Sequence, residues 1–155
     1  MMNRREDSPA NKLVITIMWI SMLMSCVIYL VIAEFVPVDP AIAPLAYPIM
    51  LNAFTLISIC MVAVGVYFGW ARTRLVEEED RYVYFHRATL SMIVCIAMFE
   101  VVGLLGLMLH AIGNTAIHRP FIAVAFILIL VAGSRIGPIF SNFESLKDME
   151  DARRF

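Results

Sequence analysis

The sequence predicts an all-α integral membrane protein: a four-helix antiparallel bundle with both termini in the cytoplasm. Three observations support this prediction, namely an excess of apolar residues, four long apolar runs and a one-sided distribution of basic residues. Apolar residues make up 61% of the 155-residue chain, against roughly 45–50% in an average soluble domain. Charged residues make up only 16%, against about 25%. We therefore expect one membrane domain covering residues 1–155.

Four apolar runs are candidates for membrane spans, since crossing the hydrocarbon core takes ~20 helical residues. They cover about residues 13–33, 47–70, 89–112 and 117–138. The fourth run is the least regular, because Ser134 and Arg135 interrupt it before it reaches Gly137 and Pro138. The first run is longer than the ~7–15-residue core of a signal peptide, so we expect it to remain as an uncleaved helix.

The connecting segments differ in composition. The first, residues 35–46, is rich in proline, which fixes the backbone angle φ and removes hydrogen-bond donors, so a stiff extended segment is expected. The second, residues 71–88, changes from basic to acidic and back, as a solvated connector does. A cytoplasmic tail is predicted over residues 140–155. Its apolar residues recur every three positions, which is typical of a helix on the membrane surface, although a solvated tail fits equally well.

Basic residues give the orientation. Eleven of the twelve Lys and Arg residues lie before the first span, between the second and third, or after the fourth. The twelfth, Arg119, lies in the short third connector. Because Lys and Arg accumulate on the cytoplasmic side, both termini are expected there, and a bacterial inner membrane is the expected location.

Several function classes find no support in the sequence. The net charge is −1, and no basic cluster with interleaved aromatics is present, so a nucleic-acid partner is not expected. The three cysteines lie within apolar runs and are interpreted as buried hydrophobes, not as a disulfide framework or a thiolate metal site. The chain has no nucleophile–base pair, phosphate loop or HExxH motif, so we expect no enzymatic activity.

Glu100 is the ionisable residue that lies deepest within a predicted span. A charge at this depth costs at least ~2.5–3.5 kcal/mol, and no Lys or Arg lies at the same depth elsewhere, so we expect a neutral, protonated carboxyl group inside the bundle. Such a group can donate a hydrogen bond, carry a proton or bind a cation. Counting about 1.5 Å per residue along each span predicts three polar neighbours for it. They are Ser25, Thr55 and Ser58.

Small residues indicate where helices pack closely. Ala97 and Gly103 lie three residues to either side of Glu100, so another backbone can approach this face of the third span. Gly65 and Gly69 form a GxxxG pair in the second span. We expect this pair to pack against the small-residue face around Glu100.

Residues 99–107, with the sequence FEVVGLLGL, resemble the carboxylate helix of the rotor-ring c subunits of F- and V-type ATPases. In that family an acid is followed by a small residue and a Gly-Leu run. The surrounding residues 47–112 provide a similar context of two helices joined by a basic connector. The resemblance implies that Glu100 is an ion-binding carboxylate for a proton or a monovalent cation, and that the helices pack as hairpins or rings. The second span has fewer glycines than its counterpart in that family.

Three functions are compatible with these features. The favoured one is a small component of a larger membrane assembly, in which Glu100 binds a proton or a cation and the partners are lipid and further copies or other membrane subunits. The second is a structural or accessory subunit, with Glu100 only as hydrogen-bonding glue between helices. The third is a haem-binding redox protein that uses His110 and His118, which lie on one side of the membrane. Interfacial histidines are common, so no metal or haem cofactor is expected.

Overall fold

Every regular element of the computed structural model is a helix, over the described residues 7–36, 47–74, 80–112 and 117–152. The elements are α1 (Asp7–Phe35), α2 (Tyr47–Val66), α3 (Arg81–Ala111), α4 (His118–Gly133) and α5 (Ile136–Ala152). A π-helical turn, Tyr67–Ala71, extends α2. The all-α prediction is thus confirmed. The proline-rich segment after Val36 and the acidic run of the second connector, residues 75–79, lie outside the described residues.

Four segments are long and apolar enough to cross a membrane, which confirms the number of candidate spans. They are Lys12–Phe35, Pro48–Ala71, Tyr82–Ala111 and His118–Leu146. The fourth is longer than its apolar run in the sequence, because α4 continues through a short turn into α5. In that turn the backbone N–H groups of Ser134 and Arg135 donate to Val131 and Ala132. Pro138 lies within the first turn of α5, where a missing N–H costs little. It does not end the span.

Helix α3 begins well before the apolar run that predicted it near residue 89. Asp80 caps the helix, since its side chain accepts a hydrogen bond from the backbone N–H of Tyr82 at 2.8 Å and so satisfies a donor of the first turn. From Arg81 the helix continues without interruption to Ala111. Hydropathy missed the first turns because they carry charged side chains.

The core of the protein is centred on α3. Half of its most apolar stretch is buried, against 11% for the corresponding stretches of α1 and α2. The largest fully buried side chains of α3 share one side of the helix and are Tyr84, Met92, Cys95, Ile96, Phe99, Val102 and Leu109. Helices α1, α2, α4 and α5 all contact α3. These four contacts explain why the buried fraction of α3 exceeds that of α1 and α2.

As residue numbers fall along α3, the residue numbers of its contacts in α4 and α5 rise. His110 meets His118 at one end, Gly103 approaches Ala125 in the middle, and Phe85 meets α5 at the other end. Contacts between α2 and α3 are also reversed, with Gly65 next to Phe99 and Gly69 next to Cys95. Contacts between α1 and α3 run in the same order, from Ser25 next to Glu100 to Val36 next to His110.

Helix α5 differs from the tail predicted over residues 140–155. It begins at Ile136, and its described apolar side chains are buried against α3. The ring of Phe85 lies 5.2 Å from that of Phe140 and 4.7 Å from that of Phe143, between ring centroids. The three-residue spacing therefore marks a face that packs on protein, because the early start of α3 supplies an apolar partner that hydropathy did not reveal.

Candidate functional site

Glu100 is half-buried on α3 and is hydrogen-bonded to α1. The hydroxyl of Ser25 donates to Glu100 Oε1 at 2.7 Å, and the hydroxyl of Tyr29 donates to the same oxygen at 3.0 Å. Ser25 and Tyr29 are one helical turn apart, so both side chains leave the same face of α1. We refer to Glu100, Ser25 and Tyr29 as the Glu100 cluster.

The two hydroxyl groups of the Glu100 cluster are directed at one carboxyl oxygen. Ser25 Oγ is also 2.8 Å from the carbonyl of Met22, so its single proton is shared between that carbonyl and Glu100. A carboxyl group that accepts hydrogen bonds at Oε1 can carry a proton at Oε2, or remain ionised beside a cation. The hydroxyl oxygens of Ser25 and Tyr29 keep lone pairs that could serve as further cation ligands.

Glu100 lies at the margin of the protein, whereas the sequence predicted a position inside the bundle. Leu104, one turn further along α3, is exposed, and so are Met24 and Ile28 of α1. Ala97, on the preceding turn, is half-buried. The carboxyl group is therefore covered by α1 on one side and borders an apolar surface on the other.

Two of the three predicted polar neighbours are elsewhere. Thr55 donates to the carbonyl of Leu51 at 2.8 Å, and Ser58 is buried with no hydrogen-bond partner for its hydroxyl within the described structure. Both line a cavity of about 510 Å³ between α2, α3 and α4, together with Val102. Depth counting failed because it took the neighbouring ends of α2 and α3 to lie at the same level, whereas the contacts of Gly65 with Phe99 and of Gly69 with Cys95 put residues near 64, not 55–59, beside Glu100.

Tyr29 was missed by the sequence analysis. Counting by depth considers only Cα positions, and Tyr29 lies a turn beyond the level that was searched. Its long side chain closes this gap, and its OH reaches Glu100 at 3.0 Å. The signal that could have found it is the spacing, because a residue four positions after Ser25 shares its helix face.

The small residues pack closely, but not all as expected. A methyl group added at Gly65 would meet the ring of Phe99 at 2.5 Å, and one at Gly69 would meet Cys95 Sγ at 2.6 Å. The GxxxG pair therefore does pack against α3, yet its partners are Phe99 and Cys95. Gly103 instead faces α1 and α4, where an added methyl would meet Ala125 Cβ at 3.3 Å and Tyr29 Cδ2 at 3.4 Å. The two sets of small residues contact different faces of α3, because α1 and α2 pack on different sides of this helix.

The two histidines that prompted the haem hypothesis form a buried pair. His110 is 4% exposed and His118 2% exposed, and their ring centroids are 4.6 Å apart at an interplanar angle of 67°. A haem iron ligated from both faces would hold the centroids roughly 6 Å apart, given metal–nitrogen bonds of ~2.0 Å. The observed contact leaves no space for a haem between the rings. We refer to His110 and His118 as the histidine pair.

Comparison with protein-family models, with curated proteins and with solved structures finds no match. The resemblance to rotor-ring c subunits thus depends on the motif at residues 99–107 alone. Both hydrogen-bond partners of Glu100 come from α1, outside the stretch 47–112 that the resemblance covers.

Proposed function

We propose that the protein is a small multi-pass component of a larger membrane assembly and that Glu100 is its proton- or cation-binding site. The observation that carries the proposal is the Glu100 cluster: a half-buried carboxyl group within a candidate span, with both of its hydrogen bonds on Oε1. Intramembrane acids are costly and usually functional. The remaining carboxyl oxygen is the atom at which a proton or a monovalent cation would bind.

The proposal includes an antiparallel four-helix arrangement with both termini in the cytoplasm of a bacterial cell. Reversed contact order between α2 and α3, and between α3 and α4–α5, supports the antiparallel arrangement. Eleven of twelve basic residues on one side support the orientation. The proposed location is the bacterial inner membrane, and the proposed role is non-enzymatic.

The assembly follows from the position of Glu100 at the margin of the chain. A carboxyl group that borders hydrocarbon is costly unless protein, water or a bound ion covers it. Apolar side chains of α1 and α2 are exposed around most of both helices, among them Ile28, Leu56 and Ile59. A second copy or another membrane subunit that packs against α1 and α3 would cover the free side of Glu100. A ring of copies, as the c-subunit resemblance implies, is one form of this assembly.

Carbodiimide labelling of the full chain tests the proposed site. Carbodiimides react with protonated carboxyl groups in apolar surroundings, so Glu100 is expected to be labelled. If the ligand is Na⁺, added Na⁺ should protect Glu100. Glu100→Gln must abolish the modification, and Glu34→Gln, which removes an exposed acid on α1, serves as the matched control. Absence of labelling at Glu100 across pH 5–9 in folded protein would contradict the proposal.

The second candidate, Glu100 as hydrogen-bonding glue, is favoured by the direct links from Ser25 and Tyr29 to α3. The two candidates differ in the expected behaviour of Glu100→Gln. Glutamine can still accept both hydrogen bonds, so glue alone predicts unchanged stability and unchanged function of the cellular assembly. Ion or proton binding at Glu100 predicts that this variant keeps its stability but that the cellular assembly loses its function. The mass of the detergent-solubilised protein tests the assembly itself, since a strict monomer would contradict a ring of copies.

A further inference from the structure

The histidine pair lies where three helix ends meet. His110 is in the last turn of α3, His118 is the first residue of α4, and Val36 directly follows α1. The ring of His110 contacts the ring of His118, and His110 Nε2 lies 3.1 Å from the carbonyl oxygen of Val36. These contacts form a second polar site, remote from the Glu100 cluster along α3.

The hydrogen bond to Val36 fixes the tautomer of His110. A carbonyl oxygen can only accept, so Nε2 must carry the hydrogen. In the neutral ring, Nδ1 then holds the lone pair. This nitrogen is buried and has no hydrogen-bond partner within the described structure. Buried polar atoms without a partner are rare and require an explanation.

Metal-binding histidines have the same arrangement. One ring nitrogen binds the ion, while the N–H of the other donates to a backbone carbonyl or a carboxylate, which fixes the ring orientation and the tautomer. His110 meets the second condition through Val36 and presents the first nitrogen unpaired. A second imidazole, that of His118, lies next to it with a centroid separation of 4.6 Å.

We propose that His110 and His118 are the protein ligands of a divalent transition-metal ion, bound by His110 Nδ1 and a ring nitrogen of His118. Imidazole nitrogen suits Zn²⁺, Cu²⁺ and Ni²⁺, whereas alkali and alkaline-earth ions prefer oxygen. Zn²⁺ tolerates four-coordinate sites that include water. The structure thus assigns a non-haem metal site to residues whose spacing excludes a haem.

Charge and ligand number indicate a site that exchanges its ion. Within the described ranges, no group of three or more His, Cys, Asp or Glu residues could hold a metal, so the proposed site has two protein ligands. The nearby carboxylate of Glu34 is paired with Arg119 at 2.9 Å, which leaves this ion pair close to neutral. Two protein ligands are fewer than the four of a structural zinc site, which corresponds to reversible binding.

Metal titration of the purified full chain tests the proposal, and none of its steps depends on Glu100. Zn²⁺ binding is measured by calorimetry, and Co²⁺ serves as a spectroscopic probe because its visible absorption reports nitrogen ligation. We expect one ion per chain in the wild type. His110→Gln and His118→Gln should each weaken binding about tenfold or more. His86→Gln is the matched control, because His86 is exposed near the opposite end of α3 and should bind like wild type.

A measurement on the unaltered protein covers the case in which a variant does not fold. Protons compete with the metal for imidazole nitrogen, so acidification from pH 7.5 to pH 5 should release Co²⁺ and abolish its nitrogen-ligand absorption. Binding that survives His110→Gln, is lost in His86→Gln, or does not change with pH would overturn the proposal. So would a wild-type chain that binds neither ion. Failure of Glu100 labelling would leave this site unaffected, so the two proposals can fail separately.

Discussion

Glu100 and His110 lie on the same helix, α3, but their polar atoms differ in burial and in hydrogen bonding. Glu100 is half-buried, and two hydroxyl groups from α1 satisfy one of its oxygens. His110 is almost fully buried, and only one of its ring nitrogens has a partner. The acid is stabilised by its neighbours but borders the outer surface, whereas the histidine is enclosed with an unpaired nitrogen.

This difference shows that burial and hydrogen bonding vary separately along one candidate span. At Glu100 the contacts from α1 are hydroxyl donors, whereas at His110 the contact is an acceptor, the backbone carbonyl of Val36 directly after α1. A carboxyl group beside two hydroxyl groups offers the oxygen ligands that hard cations prefer. An unpaired imidazole nitrogen suits a transition metal. The same helix can thus carry two ligand chemistries.

The largest expected loss of stability is that of Gly106→Ala, because the two sites on α3 differ in how tightly they are packed. A methyl group at Gly106, next to the histidine pair, would meet Phe121 Cβ at 2.7 Å and the backbone carbonyl of His118 at 3.0 Å. At Gly103, next to the Glu100 cluster, the shortest such distance is 3.3 Å. Gly106→Ala should therefore destabilise the protein by about 1–3 kcal/mol through overpacking, and Gly103→Ala by much less. Thermal unfolding in detergent measures both, and equal losses would contradict the packing difference.

A smaller effect is expected from the hydroxyl group of Tyr29. Tyr29→Phe removes one donor to Glu100 Oε1 and keeps the ring, so the loss should be close to the ~0.6 kcal/mol average for hydrogen bonds within membranes. Unfolding by a denaturing detergent measures it. Tyr67→Phe is the control, since Tyr67 is exposed on the π-helical turn. In a Glu100→Leu background, Tyr29→Phe should have little additional effect, and an undiminished loss there would show that the hydroxyl acts elsewhere.

The smallest effect is expected at the exposed ion pair beside the histidine pair. Arg119 and Glu34 are 2.9 Å apart, with side chains 63% and 64% exposed. Exposed pairs typically contribute ~0–1 kcal/mol, so Arg119→Gln should change the unfolding midpoint only slightly. Zn²⁺ binding should persist in this variant. Loss of Zn²⁺ binding together with normal folding would show that the ion pair, and not only the two imidazoles, forms the metal site.

Much of the fold could be predicted from local sequence, because hydropathy is a property of each segment by itself. The four spans are an example, and Glu100 was recognised because its charge is costly in such a segment. The start of α3 at Arg81 could not be predicted in this way, since charged residues hide those turns and their packing partner, Phe143, lies far along the chain. The error at Thr55 and Ser58 has another cause, the register of α2 against α3, which only contacts such as Gly65 with Phe99 reveal.

The sequence by itself determined that this chain forms apolar helices and that Glu100 lies within one of them. The reason is that a membrane requires each backbone polar group to be satisfied within its own segment, so composition is sufficient. Only the tertiary structure decided that Tyr29 reaches Glu100 and that His110 contacts His118. These contacts depend on how each helix is rotated and aligned against its neighbour. Side chains that are distant in sequence determine that rotation and alignment.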